Sequence, residues 1–246
     1  MYFAPEHWFT ELMAAFTQLG NGPPQLLAIA AFYWAVDRRT GIRLALLFMG
    51  SAVTNGLLKQ AFAEPRPAWI DPELQPVFHP SSFGMPSGHA QSAATWLLLP
   101  YRRQSSVLLI VCALYAFLMG WSRVVTGVHT WNQVMMGWSV GIGCIVLFRL
   151  CDRGLTTRQW RLSPVMVLLA GVVLTGLIVI IGGYFISGVE VTTLDAWRDY
   201  AARAGVVSIG PVGLRHTVVP MGCLIGMACG GLQDSGYEWA RPAGLA

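Results

Sequence analysis

Lys59, Arg66, the tetrapeptide Pro86-Ser87-Gly88-His89, the pair Ser122-Arg123 and His129 are the residues of this chain whose types could do chemistry together. They supply three permanent cations, two imidazoles and two hydroxyls. Within the tetrapeptide, Pro86 suits a helix start, Ser87 can cap or donate to a ligand, Gly88 permits close backbone approach, and His89 adds a proton donor. A helix N-terminus offers free amides to an anion, and cations grouped without nearby acids call for a multiply charged ligand. The combination describes an oxyanion trap with phosphate as its leading candidate.

These residues must be brought together by elements that the composition identifies as membrane helices. The 246 residues are 54% hydrophobic and 11% charged, with a mean hydropathy of +0.53, which is no ordinary soluble composition. Apolar runs bounded by Gly, Pro or charge occupy 23–37, 41–63, 87–101, 105–125, 128–150, 163–187 and 212–233, and 5–19 has the character of an interfacial amphipathic helix. The expected fold class is therefore all-α: a polytopic membrane bundle of six or seven spans in one domain over 1–246, with a catalytic core at 41–150 and additional spans at 163–233. The 87–101 run is short, rising only about 22 Å against a bilayer core of about 30 Å.

Helix ends and the following helix starts share a membrane face. Lys59 closes the second run, the 86–89 peptide opens the third, Arg123 closes the fourth and His129 opens the fifth, so all fall on one side. Arg38, Arg39, Arg43, Arg102, Arg103, Arg149, Arg153, Arg158, Arg161 and Arg241, ten of the 16 basic residues, fall on the other. The positive-inside rule makes that second side cytoplasmic and the site non-cytoplasmic. The opening segment lacks the basic start of a cleavable signal, so the first span is expected to direct insertion.

The net charge of +4 is scattered over short loops, which excludes a nucleic-acid-binding stripe. Cys112, Cys144, Cys151, Cys223 and Cys229 sit in apolar stretches and read as small core- or lipid-facing side chains, not as disulfides or metal ligands. Gly137 and Gly141, and Gly222, Gly226 and Gly230, recur every four residues and should let helix backbones approach. Internal packing is the favoured use of these faces, and a homodimer the alternative.

Lys59-x6-Arg66-Pro67, Pro86-Ser87-Gly88-His89 and Ser122-Arg123-x5-His129, taken in order, resemble the three-part signature of the type 2 phosphatidate phosphatase superfamily, over residues 59–133. The resemblance implies that His129 attacks phosphorus to form a phosphohistidine and that His89 is the general acid toward the leaving oxygen. It gives Lys59, Arg66, Ser87, the Gly88 amide and Arg123, with Ser122 as a further candidate, the phosphate oxygens to hold. No cofactor or metal is then required, because the three cations carry the stabilisation that Mg²⁺ gives elsewhere. The family pattern places Asp four residues after the nucleophile, whereas this chain has Gln133, whose amide oxygen can still accept from the ring N–H. Glucose-6-phosphatase-like members share this His-x3-Gln form.

The function expected is removal of phosphate from a membrane lipid phosphate or diphosphate, with the bilayer and the lipid as partners and the inner membrane of a bacterium, site facing the periplasm, as the location. Three alternatives stand beside it: a lipid phosphotransferase on the same site, a phosphatase for soluble sugar phosphates, and a non-catalytic transporter or binding protein for anionic lipids. His7, His79 and His216 fit no motif. Trp69, Trp121 and Trp131 are placed equally well in an interfacial belt or against substrate.

Overall fold

The computed structural model describes residues 7–71, 73–157, 164–188, 190–206, 209–210 and 215–233. Residues 5, 6, 163 and 212–214 of the expected helices lie outside these, as do Arg158, Arg161, Arg241, the side chains of Arg102, Arg153, Arg215 and Cys229, and the surroundings of Gly230. Among the described residues there are ten α-helices and no strand: α1 His7–Thr17, α2 Gly22–Ala35, α3 Arg38–Phe62, α4 Gly88–Thr95, α5 Leu98–Arg103, α6 Ser106–Val125, α7 Trp131–Thr157, α8 Pro164–Ser187, α9 Val191–Arg203 and α10 Arg215–Gln233. The all-α class is as expected. Four described segments are long and apolar enough to cross a membrane: Arg38–Trp69, Ser106–Val125, Trp131–Cys151 and Leu168–Phe185.

The helix limits follow from local chemistry. Asp37 caps α3 by accepting the Arg39 N–H at 3.1 Å, and Ser105 caps α6 by accepting from Leu108 at 3.3 Å. Helix α3 ends at Ala63, which takes a left-handed φ of 46°; Pro65 and Pro67 then keep the chain from resuming the helix. Between α6 and α7, Gly127 at φ +72° makes a tight turn in which the amides of Val128 and His129 both reach the Arg123 carbonyl at 3.2 Å. That turn delivers His129 beside the end of α6.

The 87–101 run is not one helix. Pro100 has no N–H for the Trp96 carbonyl, which instead accepts from Leu99 at 3.0 Å, and the chain tightens into i→i+3 bonds between α4 and α5. Helix α9 lies in 188–211, between the expected runs 163–187 and 212–233. Its Trp197, Ala201 and Ala204 share one face and pack on Trp69 and Phe83, while Asp195–Arg198 and Asp199–Arg203 pair at 2.8 Å on the outside. Trp69, 1% exposed and 6.4 Å from the Trp197 ring, is thus a core residue and not part of an interfacial belt.

The glycine faces divide. A Cβ on Gly137 would meet the Ser87 carbonyl at 2.6 Å, and one on Gly141 the Gln91 carbonyl at 2.6 Å, so α7 lies backbone to backbone against α4 as expected. A Cβ on Gly222 or Gly226 would meet nothing within 4 Å among the described residues, which corrects their assignment to internal packing. Helix α10 instead turns Met221, Leu224 and Ile225 toward Val53 and Ile178. Helix α8 is apolar on every side, and Leu169, Val172, Val173 and Ile180 are largely exposed, which suits contact with hydrocarbon.

Candidate active site

The ends of α3 and α6 and the starts of α4 and α7 meet at one end of the bundle. There Lys59, Arg66 and Arg123 are 8%, 5% and 4% exposed, and among the described residues no carboxylate lies within ion-pair distance of any of them. Buried cations without partners cost several kcal/mol, so their hydrogen bonds matter. Lys59 Nζ donates to the Phe83 carbonyl. Arg66 donates from Nε to the Ser82 carbonyl at 2.7 Å, from Nη2 to Ser82 Oγ at 3.2 Å, and from Nη1 to the Val128 carbonyl at 3.0 Å. Arg123 Nη1 donates to Thr17 Oγ1 at 2.8 Å.

Nη1 of Arg66 also lies 3.0 Å from Nε2 of His129. A guanidinium can only donate, so Nε2 presents its lone pair and the ring proton resides on Nδ1, which is 2.9 Å from Gln133 Oε1. The Gln133 amide is in turn fixed by four partners. Its oxygen accepts from His129 Nδ1–H and from the Thr130 amide at 3.3 Å; its nitrogen donates to Glu64 Oε1 at 2.8 Å and to the Pro65 carbonyl at 3.0 Å. Burial first, then the charges of Arg66, Lys59 and Arg123, hold the His129 imidazole well below histidine's ordinary range, against an opposing contribution from Gln133. At neutral pH the ring is uncharged.

Ser87 ends the segment before α4, and its side chain makes no cap bond. Its Oγ is fully buried and, like Arg123 Nε, has no hydrogen-bond partner among the described residues. Buried polar atoms are seldom left so, and two of them beside free α4 amides and three cations are what the oxygens of a phosphate would satisfy. Gly88 is held with no room to spare, since a Cβ there would meet Asn55 Oδ1 at 3.2 Å.

His89 Nε2 lies 3.0 Å from Asn21 Oδ1, and the charges of all three cations act on this ring and on His129. The residues expected to gather thus do so, with one exception. Ser122, also fully buried, spends its hydroxyl proton on the Met119 carbonyl at 2.7 Å and, among the described residues, its side chain hydrogen-bonds none of the others. His79 is exposed in its loop. Sequence reasoning missed Thr17, Asn21 and Glu64. The first two are 106 and 68 positions from the groups they touch, with no spacing to betray them; Glu64, the lone acid beside Pro65-Arg66-Pro67, was visible but not placed.

The PAP2 superfamily model matches residues 40–157. Phosphatidylglycerophosphatase B of Bacillus subtilis (strain 168) is 32% identical over 155 residues, 55% of this chain and 71% of that protein. Sphingosine-1-phosphate phosphatase 1 of Mus musculus is 27% identical over 192 residues, 74% of this chain but only 41% of the mouse protein. Among solved structures, a transmembrane PAP2-type phosphatidylglycerolphosphate phosphatase from Bacillus subtilis superposes with a TM-score of 0.51 at 28% identity, covering 64% of this chain and 82% of its own. The chain belongs to the PAP2 superfamily and has the helical membrane fold of these relatives. The expectation of an enzyme stands with them, for each is a phosphatase by name.

Proposed function

We propose that the chain, as one membrane unit with its catalytic core at 41–150, hydrolyses a lipid phosphate or diphosphate at the non-cytoplasmic face of a bacterial inner membrane. The observation that carries this reading is the lone pair of His129 Nε2, held uncharged within a cup of three cations that lack carboxylate partners among the described residues. The relatives' names supply the substrate class: both are named for phosphorylated lipids. A cup at the ends of apolar helices receives such a headgroup laterally while the tail remains in the bilayer.

On binding, a phosphoryl oxygen takes over the Arg66 N–H that caps Nε2 in the free site, and the lone pair is released. Nε2 then forms a bond to phosphorus as the bond to the alkyl oxygen breaks, and His89, which takes up a proton once the bound phosphate offsets the three cations, gives that proton to the oxygen. Lys59, Arg66, Arg123, the Ser87 hydroxyl and the α4 amides hold the equatorial oxygens, including charge that develops only in the transition state. Water next attacks phosphorus, its proton passes to His89, and the N–P bond breaks to free inorganic phosphate and His129. Purified protein in detergent, given a panel of phosphorylated lipids, should release phosphate in step with substrate loss and carry an acid-labile, base-stable label. His129→Ala should abolish both. A phosphorylated acceptor in place of free phosphate would redirect the reading to transfer, and label that survives His129→Ala would overturn it.

A further inference from the structure

The ring that attacks becomes positively charged as its N–P bond forms, and the group that receives its Nδ1 proton in a hydrogen bond is a neutral amide. Gln133 accepts at 2.9 Å but carries no charge to offset the one that develops. The charges that reach His129 from neighbouring elements, Arg66 and Lys59 from α3 and its following turn and Arg123 from α6, are all of the same sign. The far side of the amide is different. Gln133 Nε2 donates to Glu64 Oε1 at 2.8 Å, and Glu64 stands one residue past the left-handed turn that ends α3.

We infer that Glu64 is the positioning residue of the nucleophile, acting on His129 through the Gln133 amide as the displaced carboxylate of a His129–Gln133–Glu64 chain. The Thr130 amide and the Pro65 carbonyl already fix which end of Gln133 faces the ring, so Glu64 is not needed to choose the orientation. What it adds is charge. A carboxylate acceptor polarises the amide N–H, which makes Gln133 Oε1 a better acceptor for the imidazole proton. The backbone is built to hold the link: the Glu64 carbonyl accepts from Gly84 at 2.7 Å, and Gly84 itself lies so near Gln133 that a Cβ would stand 2.4 Å from Nε2. A carboxylate at 133 would face Glu64 across the same gap, so the two positions accommodate one acid between them.

The inference rests on the lipid-phosphatase reading for its kinetic consequence, and the test separates the two. Glu64→Gln keeps the size and an acceptor and removes only the charge. It should lower kcat about tenfold with KM within about twofold, and should move the acid limb of kcat/KM to lower pH by about one unit, because a lost anion makes the imidazolium harder to form. The Nδ1–H proton resonance of His129, assigned by its absence in His129→Ala, should move upfield in Glu64→Gln as its hydrogen bond weakens. Gln133→Glu alone should lose more than tenfold, and Gln133→Glu combined with Glu64→Gln should regain most of it. A Glu64→Gln protein with wild-type kcat, acid limb and resonance would overturn the role of Glu64. If the wild-type protein turns over no lipid phosphate, the phosphatase reading fails, while the resonance still decides for or against Glu64.

Discussion

Nη1 of Arg66 and Nε2 of His129 lie 3.0 Å apart, so one side chain both caps the nitrogen proposed to attack phosphorus and holds the ring proton on the opposite nitrogen. The same cation opposes protonation of the ring. Since attack needs the neutral form and the folded protein holds this imidazole well below its ordinary value of about 6.5, the acid limb of kcat/KM should lie below that value. Arg66→Gln removes a positive charge, raises the proton affinity of His129 and should shift the limb upward by about one unit, while kcat/KM falls by about 10²–10³. A pH–rate profile whose acid limb stays in place or moves down would refute this electrostatic account.

Arg123 depends on the first helix. Thr17 is 2% exposed and accepts the Arg123 Nη1 proton at 2.8 Å, which ties α1 to the end of α6. Thr17→Val keeps the shape and removes the acceptor. It should cost about 1.5–3 kcal/mol of stability, as for other hydrogen bonds to charged groups, and weaken inhibition by inorganic phosphate. Thermal melting in detergent and a phosphate inhibition constant would measure both, and an unchanged inhibition constant would leave α1 without a part in the site.

The two fully buried serines should separate cleanly. Ser87 Oγ has no partner among the described residues, so Ser87→Ala removes no bond seen there and should leave stability within about 0.5 kcal/mol while turnover falls about tenfold or more. Ser122 Oγ already donates to the Met119 carbonyl inside its own helix, so Ser122→Ala should leave turnover within about threefold. The reverse pattern in an activity and melting assay of both variants would exchange their roles.

The parts of the site that were legible in the sequence are those that obey short-range rules. Spacing along the chain and the alternation of helix ends placed Lys59, Arg66, Ser87, Gly88, His89, Arg123 and His129 at one end of the bundle, because each lies within a few residues of a helix terminus, and the family resemblance added Gln133. Thr17 and Asn21 were illegible because their contacts depend on how α1 and the turn after it lie across α6 and α4, which no local pattern encodes. The break between α4 and α5 was foreshadowed by the shortness of the 87–101 run and by Pro100. Helix α9 was hidden by its charges, which only the structure reveals to be paired on one face. The open glycine face of α10 marks the limit of motif reasoning: the period permits close packing, and the bulkier Met221, Leu224 and Ile225 decide which side is used.

The metal-free reading gives a further expectation. With three cations and the α4 amides proposed to meet the phosphoryl oxygens, turnover should persist in excess chelator and gain nothing from added Mg²⁺. Vanadate, which has phosphate's geometry and charge, should compete with substrate. Activity lost in chelator and restored by Mg²⁺, measured as phosphate release, would count against it.

Two glycine substitutions should have opposite signs. At Gly84 a Cβ would stand 2.4 Å from Gln133 Nε2 and 2.7 Å from its Cδ, and the Gly84 N–H is bound to the Glu64 carbonyl, so neither side can retreat without breaking the link to His129. Gly84→Ala should therefore cost about 1–3 kcal/mol and lower kcat, since displacing the amide frees the imidazole from its acceptor. Gly222 lies within α10 with nothing inside 4 Å of an added methyl group, and Gly222→Ala gains the helix preference of alanine, about 0.5–1 kcal/mol, without touching the site. Melting temperatures and kcat for the pair decide the matter: equal and small effects at both positions would mean that Gln133 is not held as closely against Gly84 as these distances require.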